Sequence, residues 1–150
     1  MTYHALAVRQ PFASLIAIGK KTIEWRKKPF KYRGELLICA SASPKKKTPS
    51  GDYLPTGVAV CVVDMVDCRP FTKADLGPAC CLDYLEHLYG PPEGFAYVFE
   101  NPREIELIPG KWIVAPWPWK GPEPVFTAGL HASLGFLSEN LTVNGGLKTA

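Results

Sequence analysis

The sequence predicts an α+β protein, a small closed β-barrel of about six strands flanked by one or two short helices. The chain has 150 residues, of which 47% are apolar and 21% charged, values typical of one packed domain. Its 15 prolines and 13 glycines favour short elements joined by many turns. Several short segments show strand periodicity and few show helical spacing, as in small barrels.

The strand predictions rest on period-two alternation or on runs of β-branched and aromatic residues. These segments lie at residues 3–9, 22–26, 35–41, 56–68, 95–100, 103–107 and 112–115. A first helix is predicted over 11–18, because Pro11 suits a first helical turn and Gly19 suits a left-handed stop. Thr72 is expected to cap a second helical region that reaches about Leu88.

Two segments carry weak structural signals. Residues 41–55 are mostly polar and contain prolines, a glycine and three successive lysines, which predicts a mobile loop. From Thr127 onward the hydrophobic pattern fades between glycines. We therefore predict a domain over 1–126 and a C-terminal tail of uncertain structure over 127–150.

The net charge of +3 conceals a strong asymmetry along the chain. Residues 1–50 hold eleven of the 17 Lys and Arg residues and only two acids, a net charge of +9. Residues 51–150 hold six basic and twelve acidic residues, a net charge of −6. If the first half forms one face, that face attracts a polyanion such as RNA; otherwise its lysines are spread over a solvated surface.

The most informative segment follows the first helix, at residues 19–26. Strand alternation turns Thr22, Glu24 and Arg26 to one face, with Ile23 and Trp25 on the opposite, core-facing side. Lys21, at the link between helix and strand, can reach over the polar face. A lysine, a carboxylate and a planar guanidinium can together hold a phosphate or a base edge. The alternative is a solvated strand face with an internal salt bridge.

Four segments, in order along the chain, resemble the ASCH domain family. The string Gly19-x-Lys21-x-x-Glu24-x-Arg26 resembles the family's GxKxxExR signature. The other segments resemble its first strand and helix, its next strand, and a segment that contains Glu-Asn-Pro-Arg; they lie at residues 8–16, 32–41 and 94–103. The resemblance extends from about residue 3 to about residue 120.

The resemblance implies a PUA-like fold in which the motif lines a cleft between barrel and helix. The first hypothesis is then a protein that binds RNA or a nucleotide-like ligand, without a cofactor. Because some members are amidohydrolases of N4-acetylcytidine and one branch is ribonuclease-like, the alternative is a hydrolase of a modified pyrimidine nucleoside, or a ribonuclease. Whether the chain is an enzyme is left open.

One departure from the amidohydrolase branch concerns catalysis. There, the position matching Glu24 is a threonine that acts with the lysine matching Lys21. The carboxylate of Glu24 favours the charged form of Lys21, which makes Lys21 a better anion clamp than base. The catalytic candidates are Lys21 and Glu24, with Glu24 as a general base that activates a water.

Other polar residues complete the predicted ligand-binding set. Gln10 either presents its amide to a base or caps the helix, and Arg9 beside it faces either the groove or solvent. Ser41 and Ser43 either donate to a phosphate or form a turn. The lysines after them either contact phosphates or are simply solvated. The full set is Arg9, Gln10, Lys21, Arg26, Ser41, Ser43, Lys45, Lys46 and Lys47.

Trp112, Trp117 and Trp119 predict an aromatic ridge, which either stacks on unpaired bases or packs in the core. With residues 127–150 it supports a third hypothesis, a protein-interaction adaptor. The five cysteines and three histidines show no metal-ligand or disulfide spacing, so no metal site is expected. The sequence shows no signal peptide and no apolar run of ~20 residues. We therefore expect a cytoplasmic protein with free thiols and no membrane partner.

Overall fold

The computed structural model describes residues 3–82, 93–110 and 116–127. Its strands are β1 (His4–Val8), β2 (Ile23–Arg26), β3 (Gly34–Ala40), β4 (Val58–Pro70), β5 (Phe95–Pro109) and β6 (Trp117–Pro118). The helix α1 covers Phe12–Ala17, and a short 3-10 helix covers Lys73–Asp75. The predicted α+β class, with about six strands and short helices, is confirmed.

The strands form a curled half-barrel with the order β2-β5-β4-β3-β1-β6. β1 and β3 run parallel, whereas the other neighbouring strands are antiparallel. Parallel strands need a crossover, and here α1 and β2 provide it. As a result, the carboxyl ends of β1 and β3 lie side by side at one edge of the sheet.

The two longest strands, β4 and β5, bend the sheet. Their register shifts at three places along β4, between Ala59 and Cys61, between Val62 and Asp64, and between Met65 and Asp67. Such bulges add local twist and bend the bulged strand. Bending of this kind allows the sheet to curl around α1, which contacts β3, β4 and β5.

The central strand β3 is buried on both faces, and its side chains alternate between two cores. Leu36, Ile38 and Ala40 pack with α1 in the main cluster. Leu37 and Cys39 pack on the opposite face, against which Trp117 and Trp119 are partly buried. These two tryptophans therefore serve the core, the alternative to base stacking, whereas Trp112 lies outside the described residues.

Several predicted boundaries differ from the structure. The strands predicted at 95–100 and 103–107 are one strand, because Asn101 and Pro102 form a bulge within β5. Asn101 has a φ of 52°, and the bulge accommodates a proline that cannot donate to the ladder. Of the second helical region, residues 73–75 form a 3-10 helix and 83–88 lie outside the described residues. The strand predicted at 112–115 also lies outside them.

The mobile loop predicted over 41–55 is wrong for its second half. Residues 46–54 form a short hairpin, hereafter the 46–54 hairpin, in which Lys47 and Tyr53 are antiparallel partners. The backbone N–H of Leu54 donates to the Lys46 carbonyl at 2.8 Å, and that of Thr48 donates to the Asp52 carbonyl at 2.8 Å. Leu54 is buried in the main cluster, which anchors the hairpin to the core.

The end of helix α1 is the feature that positions the motif. Gly19 has a φ of 81°, a left-handed conformation that glycine adopts without steric cost. The backbone N–H groups of Lys20 and Lys21 both donate to the Leu15 carbonyl, at 3.0 and 3.1 Å. This tight turn leads directly into β2, as the sequence predicted. The division into 1–126 and 127–150 stays a prediction, because residues 128–150 lie outside the described ranges.

Candidate functional site

The charged side chains of the motif converge on one carboxylate. Lys21 Nζ lies 3.3 Å from Glu24 Oε1, and Arg26 Nη2 lies 3.0 Å from Glu24 Oε2. Arg26 Nε also donates to Glu24 Oε2, at 3.2 Å. The exposed fractions of the three side chains are 2% for Lys21, 14% for Glu24 and 19% for Arg26. The three residues are hereafter called the charged triad.

Strand β2 turns Glu24 and Arg26 toward the concave side of the sheet. Glu24 is paired in register with Tyr97, which is buried in the main cluster. Ile23 faces the other way, into a smaller cluster with Phe71 and Leu76. The polar face of β2 therefore lies on the side of the main core, and its apolar residue is covered by the chain that follows β4.

The expectation that Trp25 faces the core is wrong. Trp25 is 37% exposed and lies against Gly94, which has a φ of 149°. A Cβ atom added to Gly94 would meet Trp25 Nε1 at 2.5 Å and the Arg26 carbonyl oxygen at 2.7 Å. The indole thus packs closely on the glycine backbone at the outer surface. The alternation of β2 correctly placed Trp25 on the face opposite Glu24 and Arg26, but that face is not covered by the core at this position.

Lys21 is held by contacts from three different parts of the chain. Its ammonium donates to the carbonyl of Ala79 at 2.6 Å and lies 5.1 Å from the centre of the Phe12 ring. Together with Glu24, these groups replace the water that a buried ammonium loses. Ala79 and Phe12 complete the surroundings of Lys21 and were not predicted, because a backbone carbonyl and a helix aromatic carry no sequence signal for this contact.

Arg26 links the two ends of the curled sheet. Its Nη2 group donates to the carbonyl of Ala7 in β1, although β1 and β2 are not neighbours in the sheet. Close by, the hydroxyl of Tyr97 donates to the Lys28 carbonyl at 2.7 Å. Burial raises the pKa of Tyr97, and the positive charge of Arg26 opposes that rise. The triad therefore lies where the ends of the half-barrel approach each other.

Some of the other predicted ligand-binding residues lie at the carboxyl ends of β1 and β3. The backbone N–H of Ser41 donates to the Val8 carbonyl at 3.0 Å, so the ends of β1 and β3 are in contact. Arg9 and Ser43 are exposed beyond these ends, and Ser41 is half-buried. These residues lie at the same end of the two neighbouring strands, and their contact with a ligand stays a prediction.

Gln10 has its amide engaged within the protein. The side chain is buried, its Oε1 accepts from the Ser14 N–H at 3.0 Å, and its Nε2 donates to the Pro55 carbonyl at 2.7 Å. Nε2 also donates to the Ser14 hydroxyl at 2.8 Å. Of the two roles predicted for Gln10, the structure shows the helix-capping one. Ligand binding by Gln10 stays a prediction.

The three lysines of 45–47 lie in or beside the 46–54 hairpin. Lys45 and Lys47 are exposed, and Lys46 is half-buried. Lys47 Nζ lies 4.8 Å from the centre of the Tyr53 ring, and Tyr53 is 64% exposed. Tyr53 was not singled out from the sequence, since an isolated tyrosine in a polar stretch gives no indication that a hairpin holds it beside a lysine.

Thiols and metal ligands add nothing to the site in the described part of the chain. All five cysteines are free, and burial raises the pKa of Cys39, Cys61 and Cys80, which makes their thiols poor nucleophiles. Within residues 3–82, 93–110 and 116–127, no group of His, Cys, Asp and Glu side chains is arranged to hold a metal ion. Over the same ranges, none of the helices has the length and apolar character to cross a bilayer.

Comparison with known proteins identifies the ASCH domain family and proteins of the same fold. The family profile of the ASCH domain matches residues 6–109, more than half of the chain. A crystal structure of an ASCH protein from Zymomonas mobilis is similar, with a TM-score of 0.53, 16% identity and coverage of 71% of this chain and 73% of that chain. A tyrosine-to-phenylalanine variant of the same protein gives a TM-score of 0.51 at 16% identity, with coverage of 73% and 76%. At this identity the likeness establishes the fold alone. No curated protein sequence matches the chain.

Proposed function

Because the chain belongs to the ASCH domain family, we propose that it binds RNA or a nucleotide-like ligand through a basic cleft lined by the charged triad. The observation that carries the proposal is the pairing of one shielded carboxylate, that of Glu24, with the two cations Lys21 and Arg26. One negative and two positive groups leave an excess positive charge at the edge of the half-barrel. A phosphate is a chemically suitable partner for that charge.

The energetics support a functional role for the triad. Removal of an ionised group from water costs several kcal/mol, and pairing offsets this cost only in part. A core of apolar residues would give equal or greater stability at the same place. Shielded charges also interact more strongly with a charged ligand than solvated charges do, because the local dielectric constant is lower.

Within the triad the exposed fractions suggest a division of roles. Lys21 is almost fully buried and holds Glu24, and Glu24 in turn holds the guanidinium of Arg26. Arg26 is the most exposed of the three. Its guanidinium donates to Glu24 and Ala7 within the protein, and its fixed positive charge suits a phosphate. We therefore assign ligand contact chiefly to Arg26, and positioning to Lys21 and Glu24.

Substitution of Arg26 tests the proposal. We expect Arg26→Met to weaken RNA binding by roughly tenfold or more, because a charge-assisted hydrogen bond is lost, and Arg26→Lys to recover only part of the affinity. Arg33→Met is the matched control: Arg33 is 41% exposed and lies 3.9 Å from Asp67. The measurement is fluorescence anisotropy with short RNA, after thermal unfolding has shown that the variants fold. Equal losses for Arg26→Met and Arg33→Met would contradict the assignment.

A hydrolase that acts on a modified pyrimidine nucleoside or on RNA is the second candidate. The observation in its favour is an amine and a carboxylate held 3.3 Å apart in a shielded place, an arrangement suited to acid–base chemistry. Against it, both oxygens of Glu24 are already engaged by cations. The general-base role of Glu24 is therefore proposed only as the alternative.

Turnover measurements separate the two candidates. If the chain is a hydrolase that uses this site, Lys21→Met and Glu24→Gln lower the turnover of N4-acetylcytidine or RNA by roughly 100-fold or more, the contribution typical of a general acid or base. Glu100→Gln, which changes an exposed acid on β5, is the control. Product formation is followed by chromatography. The hydrolase proposal is rejected if the wild-type protein shows no turnover, or if both site substitutions leave turnover intact. The binding proposal stands in either case.

A further inference from the structure

We propose that the 46–54 hairpin is a second contact surface that selects an unpaired RNA strand, with Tyr53 as a stacking platform and Lys47 as its phosphate contact. This inference rests on the proposed RNA binding and specifies its ligand. Tyr53 is 64% exposed, whereas the next residue, Leu54, is only 3% exposed. Because a ring that stays in water buries little apolar area, it adds little to the stability of the fold and its surface is accessible to a ligand.

The hairpin holds Tyr53 in a defined position. The Gly51 N–H donates to the Thr48 carbonyl at 2.9 Å, and the Thr48 hydroxyl lies 2.8 Å from the Ser50 hydroxyl. Thr48 is only 4% exposed, and Leu54 packs in the main cluster. A rigid aromatic side chain loses little conformational entropy when a ligand binds, so a fixed tyrosine binds a base better than a mobile one.

The charges around the ring favour a nucleic acid over other ligands of an exposed tyrosine. Lys47 Nζ lies 4.8 Å from the ring centre, and Lys45 is exposed nearby in sequence. The acid of the hairpin, Asp52, accepts a hydrogen bond from the Ser50 hydroxyl at 3.2 Å. Aromatic rings with adjacent lysines are the combination that proteins use for single strands, in which bases stack and phosphates pair with cations.

The hairpin and the charged triad lie close enough for one strand to contact both. The Pro55 carbonyl accepts from Gln10 Nε2 at 2.7 Å, and Ala7, three residues before Gln10, accepts from Arg26. Chain length then limits the path from the Arg26 guanidinium to Tyr53 to about 30 Å. A strand of several nucleotides bridges that distance, whereas a single nucleotide contacts one site only. In a duplex the base faces are stacked internally and are not available to Tyr53.

The test compares oligouridylate as a single strand with the same strand annealed to oligoadenylate. We expect Tyr53→Ala to reduce the preference for the single strand by roughly 5- to 100-fold, the range for loss of one base stack. Tyr53→Phe should retain the preference, because phenylalanine also stacks. The matched control is Phe126→Ala, since Phe126 is 45% exposed with Arg103 5.8 Å from its ring, on the other half of the chain. Phe126→Ala should bind as the wild type does.

The outcomes of this test distinguish the proposed role of the hairpin from that of the charged triad. A preference for the single strand that survives Tyr53→Ala, or equal losses for single strand and duplex, overturns the stacking role of the hairpin. If uridine monophosphate binding depends on Arg26 while Tyr53→Ala has no effect on strand binding, the proposed function stands without this inference. If Tyr53→Ala weakens binding of the single strand and Arg26→Met does not, the proposed role of the hairpin stands and that of the charged triad is wrong. Wild-type protein that binds none of these ligands at low salt overturns both.

Discussion

At the residue scale, hydrogen-bond partners decide which of two chemically equal roles a side chain takes. Gln10 contacts Ser14 and Pro55 with its amide, so it caps α1. Glu24 forms ion pairs with both Lys21 and Arg26, so its carboxylate serves first to hold two cations. A free carboxylate is the better proton acceptor, and this is the physical reason to rank binding above catalysis.

Asp75 is the residue whose ionisation has the clearest effect on stability. Hydrogen bonds from Arg69 lower the pKa of the Asp75 carboxyl to about 2, against the opposing effect of burial and with further help from Thr72. Arg69 donates through two nitrogens, at 2.7 and 2.8 Å. Asp75 also accepts the Ala79 N–H on its backbone carbonyl at 2.9 Å. Asp75 therefore links Arg69 and Thr72, through its carboxylate, to the segment whose Ala79 carbonyl binds Lys21, through its backbone carbonyl.

We predict that Asp75→Asn lowers the free energy of unfolding by about 1 kcal/mol at neutral pH, a modest value because Arg69 is partly exposed. The folded-state pKa of Asp75, about 2, lies below its ordinary value of 3.8. The contribution is therefore present above about pH 4 and is lost as the pH falls toward 2. Urea denaturation over this pH range measures it. Asp67→Asn, which changes a side chain that is 52% exposed, is the control; a pH-independent difference for Asp75→Asn would contradict the mechanism.

At the scale of elements, local patterns predicted the existence of helices and strands better than their ends. The spacing of Phe12, Leu15 and Ile16 and the stop at Gly19 predicted α1 closely, since each acts within a few residues. Asn101 and Pro102 signalled a break between strands. The structure instead keeps one strand, β5, because β4 pairs on both sides of the bulge. Pairing with a distant strand thus overrides a local breaker.

The 46–54 hairpin shows the same effect in a segment that lacks any strand periodicity. Its composition predicts a mobile loop, yet Leu54 reaches the main cluster and the Pro55 carbonyl binds Gln10. One buried side chain and one buried amide each help to hold the segment in place against the loss of chain entropy on ordering. For function, this means that Lys46 and Lys47, which were expected in a mobile loop, lie in a folded hairpin.

At the scale of the whole molecule, the charge asymmetry predicts how binding responds to salt. Residues 1–50 carry a net charge of +9 and contribute β1, α1, β2 and β3. Each phosphate contact releases bound counterions. In a plot of the logarithm of the binding constant against the logarithm of the salt concentration, each contact with a single strand therefore adds about −0.7 to the slope. The slope of a measured salt titration therefore reports how many phosphates the protein contacts.

We predict that replacement of Lys45 and Lys47 by glutamine flattens this slope by about 1.4, because two phosphate contacts are lost. Binding should weaken similarly for different RNA sequences, since phosphates carry no sequence information. The control is the pair Lys73→Gln and Lys120→Gln, which changes exposed lysines outside residues 1–50. Titrations at several salt concentrations give the slope. An equal change in the control pair would show that net charge alone acts, without a defined contact surface.

The sequence by itself determined the α+β class, helix α1, the positions of the main strands along the chain and the ASCH domain family, because these depend on residues close together in the chain. Only the tertiary structure decided which partners the motif has. The bonds of Lys21 to Ala79 and of Arg26 to Ala7 join residues that are far apart in sequence or lie in strands that are not neighbours. Such contacts arise from the curl of the sheet, which brings its two ends together, and local periodicity contains no information about that closure.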